Sequence, residues 1–308
     1  MSACSDGMEL HPQDGLFPVR LKDLPTVPPV LYVRGNPSAL ESPMIAIVGA
    51  RRATPYGLAL AEMASRISAE SGVTIVSGGA RGCDQAAGRS ALEAGGRHVV
   101  VLGTGADVVY PSSATSLIDR VLASDGAVVS IEPWGTPPQR WAFPKRNRVI
   151  AALASAVLVT EAGMPSGTFS TAEAADELGR EVLAVPGSFF SAESRGSNYL
   201  IASGACCIAD EEALEVAISR IYGTLRFERP NSPICLCPSS KGRQALAFLV
   251  ANPMRAEDLA AVLRVGSVEC LQLVGELEVS GWVERLVDGR FSPTKSALHA
   301  MTRLGQNG

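Results

Sequence analysis

The feature that most limits what this chain can fold into is a regular alternation running from Ile45 to Tyr222. Short runs rich in β-branched residues occur at 45–48, 73–77, 98–102, 127–131, 156–160, 181–185 and 206–209. Alanine-rich segments with helical patterning separate them, at 56–71, 84–94, 114–123, 146–154, 168–178 and 211–222. Strands that alternate with helices build crossover units and therefore a mostly parallel sheet. The runs are apolar almost throughout, not at every second position, as befits strands covered on both faces. The expected fold class is α/β, a doubly wound, mostly parallel sheet.

The flanks obey a different grammar. Residues 1–43 form a lead-in, proline-rich from Pro18 to Pro43, expected to run extended and pack on the core. The Rossmann-like domain is expected over 44–225, and Pro230, Asn231, Pro233, Pro238, Ser239 and Ser240 mark a linker at 226–240. Residues 241–300 read as three helices and a hairpin turned at Asp288-Gly289, the order of a winged helix, with a tail at 301–308.

Composition excludes several classes. With 46% hydrophobic and 19% charged residues the chain has material for a core and is not a disordered protein. Its longest near-continuous apolar run, 149–159 with Ser155 inside it, is too short for a membrane span, which needs about 18 residues. Met1 to Leu10 carries acids and no basic stretch, so no secretory signal is expected and the chain is expected in the cytoplasm. The seven cysteines include an adjacent pair, Cys206-Cys207, and a CxC at Cys235 and Cys237, and the histidines are His11, His98 and His299. No set of four at zinc-ligand spacing emerges, so neither a metal nor a cofactor is expected. The net charge of −4 gives no overall basic footprint, and nucleic-acid binding would have to come from local clustering.

Parallel sheets bind ligands at the carboxyl ends of their strands. The glycines and cations collect there. The first strand runs into Gly49-Ala50-Arg51-Arg52, the second into Gly78-Gly79-Ala80-Arg81-Gly82, the third into Gly103-Thr104-Gly105, and the fifth into Glu161 and Ser166-Gly167-Thr168 at a helix start. Glycines admit an anion close to the backbone, and helix N-termini favour phosphate. The first turn is not GxGxxG and no acid ends the second strand, which argues against a nicotinamide cofactor. No GxxxxGK[ST] occurs. Ser77, Cys83 and Ser166 could serve as nucleophiles, but no histidine stands at a strand end on this edge to activate them.

The densest basic cluster is Arg140-Trp141-Ala142-Phe143-Pro144-Lys145-Arg146-Asn147-Arg148, which holds four cations, two aromatics and no acid. Cations pair with phosphates and aromatics stack on bases, the two terms that hold single strands without reading sequence. Arg51, Arg52 and Arg81 extend the cluster along the same edge. The C-terminal unit is different: residues 241–300 carry seven basic and seven acidic groups, and its third helix has Glu269, Glu276 and Glu278 and no cation. It is expected to contact protein or itself rather than DNA.

These motifs, in this order, resemble the DprA family of bacterial DNA-processing proteins, also called Smf. The resemblance rests on Leu31-Tyr32-Val33-Arg34-Gly35-Asn36, the Gly49 to Gly57 loop, Ser77-Gly78-Gly79-Ala80-Arg81-Gly82-Cys83-Asp84, Tyr110-Pro111, Glu132-Pro133 and Phe143-Pro144-Lys145-Arg146-Asn147-Arg148-Val149-Ile150. Ser166-Gly167-Thr168, Val185-Pro186-Gly187 and Gly196-Ser197-Asn198-Tyr199-Leu200-Ile201 complete it. The resemblance implies a dimeric, non-catalytic protein that binds single-stranded DNA, protects it and loads the RecA recombinase during natural transformation. It also implies that Arg51 or Arg52, with Lys145, Arg146 and Arg148, lies in the DNA pocket. The chain departs from the family where Ala50 replaces serine, Cys83 isoleucine, Gly88 histidine and Ala152 glycine.

A second reading is a nucleoside-monophosphate phosphoribohydrolase of the LOG type. Ser166-Gly167-Thr168 followed by Glu173 is similar to that family's glycine-rich and glutamate motif, although Pro165-Ser166 stands in place of its double glycine.

Overall fold

A computed structural model describes residues 7–224, 238–294 and 297–298 of the chain. Most of the expected linker, the tail at 301–308, Cys235, Cys237 and His299 lie outside these residues. Among them, nine strands form one sheet: β1 (Gly7–Leu10), β2 (Leu31–Gly35), β3 (Met44–Val48), β4 (Thr74–Ser77), β5 (His98–Val101), β6 (Ala127–Ser130), β7 (Ala156–Val159), β8 (Glu181–Ala184) and β9 (Cys206–Cys207). Their order is β1-β2-β6-β5-β4-β3-β7-β8-β9. From β6 to β9 every pairing is parallel, whereas β1 on β2 and β2 on β6 are antiparallel.

The lead-in therefore does more than lie on the core, because two of its segments extend the sheet. Leu31 and Val33 of β2 are buried while Tyr32 and Arg34 are half-exposed, the period-2 pattern of an edge region. Leu21 and Leu24 are also buried, in the same apolar layer as Val33.

The helices are α1 (Pro55–Glu70), α2 (Cys83–Glu93), α3 (Thr115–Leu122), α4 (Ala142–Leu153), α5 (Phe169–Glu177), α6 (Arg195–Ala202) and α7 (Glu211–Tyr222). Alternate residues of one strand feed opposite layers. Ile45 and Ile47 pack with Ala64 and Ile67 of α1 and Leu214 and Ile218 of α7. Ala46 and Val48 pack with Val149, Ile150 and Leu153 of α4 and Ala172 and Ala175 of α5. Covering both faces explains why the strands lack polar alternation.

The chain moves from β3 outward through β4, β5 and β6, then crosses back so that β7, β8 and β9 build the other half. The reversal lies between β3 and β7, and a doubly wound sheet opens its ligand crevice at such a point.

The C-terminal residues form α8 (Ser240–Ala251), α9 (Ala256–Leu263), α10 (Ser267–Val279) and a hairpin of β10 (Val283–Arg285) with β11 (Phe291–Pro293). They have their own core, with Leu246, Leu249, Leu259, Val274, Leu277 and Phe291 buried together. The hairpin meets the larger domain where Arg290 pairs with Glu193 at 3.4 Å.

Candidate nucleic-acid interface

Two cavities open at the carboxyl edge of the sheet, and Arg51, Arg52, Ala80 and Arg146 line both. The first, about 520 Å³, lies at the β3/β7 reversal and is walled by the 49–52 loop, Asp84, Asn147 and the 163–168 loop. The second, about 510 Å³, is walled by Gly78, Arg81, Tyr110, Pro111 and Phe143.

The loop that carries Arg51 and Arg52 is fixed from behind. Buried Glu161, just past β7, accepts from the Thr54 amide at 2.8 Å and from its hydroxyl. Thr54 in turn caps α1 by accepting from the Gly57 amide. Burial raises the Glu161 carboxyl above its ordinary range, and the two Thr54 bonds oppose that shift. Gly82 has φ +81°, and a Cβ there would strike the Ala50 carbonyl oxygen, so the two glycine loops interlock through a position only glycine fills well.

The basic cluster differs from its sequence reading in one respect. The helix expected over 146–154 already starts at Ala142 as α4. Pro144 falls in the first turn, where a missing amide costs nothing. The cluster therefore sits on a helical scaffold, and the helix separates its cations. Lys145 is exposed and lies over the Trp141 ring, 4.4 Å from its centroid. Arg140 is exposed. Arg148 pairs with Glu177 and lines neither cavity. Arg146 is only 4% exposed. Its Nη1 donates to the Gly78 carbonyl and, at 2.8 Å, to the Val101 carbonyl, while Nε donates to Asn147. Burial pulls its pKa down to about 10, which leaves it charged at neutral pH, with Asp84 as the opposing acid.

The glycines divide likewise. The Gly78 amide is taken by Asp84 Oδ2 at 3.0 Å, and Gly79, with φ +65°, is buried. Both shape the strand end. Ser166, Gly167 and Thr168 face the first cavity at the start of α5, although the Thr168 amide already donates to Ser166 Oγ at 3.2 Å. Asn147 joins them, donating to Ser170 Oγ at 2.7 Å. Arg51, Arg52 and Arg81 are exposed and hold no salt bridge among the described residues.

Tyr110 is the main residue that the site gains from the structure. It is 45% exposed, and its ring lies 5.7 Å from that of Phe143, which also carries the Arg51 guanidinium at 5.9 Å. An aromatic pair beside free cations offers base stacking and phosphate pairing within one cavity. The tyrosine stands 33 positions before Phe143 in the sequence, so only the fold joins them.

No nucleophile is poised at this edge among the described residues. Ser77 Oγ does lie 3.4 Å from His98 Nε2, a juxtaposition that strand reading missed, but both residues are 0% exposed. Burial pushes the Cys83 thiol up to about 12. Glu173 is exposed on α5 and lines neither cavity, which does not favour the phosphoribohydrolase reading.

The chain is similar to known proteins over much of its length. Protein Smf of Synechocystis sp. is 40% identical over 216 residues, a match covering 69% of this chain and 54% of that protein. The chain thus spans little more than half the length of that relative. The X-ray structure of DNA processing protein A from Streptococcus pneumoniae matches with a TM-score of 0.64 at 37% identity, covering 67% of this chain and 72% of the other. DNA processing protein A from Helicobacter pylori, described for its single-stranded DNA binding mode, matches with a TM-score of 0.64 at 28% identity over 70% of this chain and 97% of its own. Residues 9–218 match the model of the family described as DNA recombination-mediator protein A, and the chain belongs to that family.

Proposed function

We propose that this chain binds single-stranded DNA, without catalysis and with little sequence preference, in DNA processing during transformation and recombination. One observation carries the reading: Arg51, Arg52 and Arg81 are exposed without salt bridges among the described residues, and they surround a cavity that also holds Tyr110 and Phe143. The whole chain is acidic, so this edge is a local exception, as binding of a polyanion requires. The Helicobacter relative's single-stranded DNA binding mode supports the same assignment.

Arg51, Arg52, Arg81, Lys145 and Arg140 are the cations assigned to phosphates, and Asn147 with Ser166, Gly167 and Thr168 borders their path. Arg146, Gly78, Gly79 and Gly82 are assigned to hold the edge in shape, and Arg148 lies at its margin. The C-terminal unit is read as a winged helix for protein or self contact, because α10 carries three glutamates and no cation and Lys241 is paired with Glu269. Dimerisation, a cytoplasmic setting and cooperation with a RecA recombinase rest on membership of a recombination-mediator family. No helix among the described residues is long and apolar enough to cross a membrane.

Titration of labelled oligothymidine and of a matched duplex by fluorescence anisotropy tests the function. Single-strand-preferring binding is expected, and equal or absent binding of both would refute it. Release of free base from a nucleoside monophosphate would point instead to the hydrolase.

A further inference from the structure

The loop between β8 and α6 carries two adjacent phenylalanines, Phe189 and Phe190, which are 85% and 80% exposed. Their rings stand edge to face at 5.4 Å. Two neighbouring aromatics on one loop left this open to water call for an occupant, because scattered single exposures are ordinary and contiguous ones are not. The loop is held firmly. Ser191 N–H donates to the Ser188 carbonyl at 3.1 Å, closing a tight turn with the two phenylalanines at its tip. Below it the Asn198 amide both donates to the Gly187 carbonyl and accepts from the Gly187 amide, each at 3.0 Å, and the Tyr56 hydroxyl donates to the Pro186 carbonyl at 2.8 Å. The rings are presented on a fixed base.

We infer that Phe189 and Phe190 form a second base-stacking platform for single-stranded DNA leaving the basic edge, an inference that rests on the function proposed above. Position argues for this occupant. β3, β7 and β8 are neighbours in the sheet, so the ends carrying Arg51 and Phe189 are two strand spacings, about 10 Å, apart on the same edge. The surface between them is continuous: Ala192 and Glu193 of the β8–α6 loop wall the first cavity together with Arg51, Met164 and Ser166. Arg195, at the start of α6 and five positions after Phe190, is exposed and has no salt bridge among the described residues, so the same segment carries a cation as well as the aromatics. A strand held by Tyr110 and Phe143 at one end and by the phenylalanine turn at the other crosses the whole arginine edge. Stacking suits DNA of any sequence because every base has an aromatic face.

The test compares Phe189→Ala/Phe190→Ala with the wild-type full chain, using labelled oligothymidines of about four and about 20 nucleotides, lengths that bracket one and several stacking sites. The platform predicts about tenfold weaker binding of the long oligomer, less than twofold change for the short one, and restoration by Phe189→Tyr/Phe190→Tyr. Unchanged affinity for both lengths, or equal loss for both, overturns it. So does sedimentation showing that the alanine variant loses self-association but keeps its DNA affinity, since the turn would then be a contact between copies. Failure of the wild type to bind either length would instead reject the basic edge itself, and the platform with it.

Discussion

Asp84 and Arg146 grip the two ends of one residue: the carboxylate accepts from the Gly78 amide at 3.0 Å, and the guanidinium donates to the Gly78 carbonyl. Both side chains are almost wholly buried, at 5% and 4% exposure. A Cβ at position 78 would fall on the guanidinium, so glycine, aspartate and arginine form one unit at the end of β4. Truncating Arg146 takes the donor from the buried Gly78 and Val101 carbonyls, and each buried polar group left without its partner costs about 1–3 kcal/mol. Arg146→Ala is therefore expected to lower stability by that order in a denaturant melt. Arg146→Lys recovers little of it, because an ammonium does not reproduce the fork that reaches Gly78, Val101 and Asn147 together. A wild-type midpoint for either variant would contradict this role. DNA-binding loss in an Arg146 variant thus reports the shape of the edge as much as a phosphate contact.

His98 sets a pH dependence. Its Nδ1 faces the Ile75 carbonyl at 3.1 Å, an acceptor, so that nitrogen carries a proton. Burial lowers its pKa to about 4 from an ordinary 6.5. Between these values the unfolded chain binds more protons than the folded one, so stability falls as pH drops through that window. The contribution is about 2 kcal/mol by pH 5. Asp84, whose pKa burial raises, works in the opposite sense. Comparing wild type with His98→Asn isolates the histidine: the variant is expected to lose less stability than wild type between pH 7 and pH 5. Parallel losses would show that the imidazole is not held neutral.

The aromatic pair makes a separate prediction. Tyr110→Ala removes an exposed ring and is expected to leave the melting temperature near wild type while weakening oligothymidine binding by about 1–3 kcal/mol. Phe143→Ala weakens binding to a similar degree and also lowers stability, because its ring supports Arg51 and Arg146. Anisotropy titrations beside thermal melts separate the two. Undiminished binding by Tyr110→Ala would remove it from the site.

Much of this was legible in the sequence. The β-branched runs marked the strands from β3 to β9, since burial on both faces leaves a dense apolar signal. β2 was passed over because prolines surround it, although Leu31 and Val33 kept the alternation of a strand. The basic cluster was visible as a charge run, but a run does not say which cations a helix turns inward. Arg146 goes under the surface and Arg148 to Glu177, while Lys145 stays free. Tyr110 and the Ser77–His98 contact depend on strand neighbours that the sequence separates. Gly88, where the family more often has histidine, also became intelligible: a Cβ there would lie 2.7 Å from His98 Nε2, so an imidazole from β5 already fills that space.

The most direct test of the central claim is the salt dependence of oligothymidine affinity for wild type and for Arg51→Ala/Lys145→Ala. Each phosphate neutralised on a single strand contributes about 0.7 to the slope of log affinity against log salt. If the free cations of this edge hold the DNA, the double variant should bind more weakly and its slope should be shallower by about 1.4. An unchanged slope with full affinity would place the DNA elsewhere on the protein.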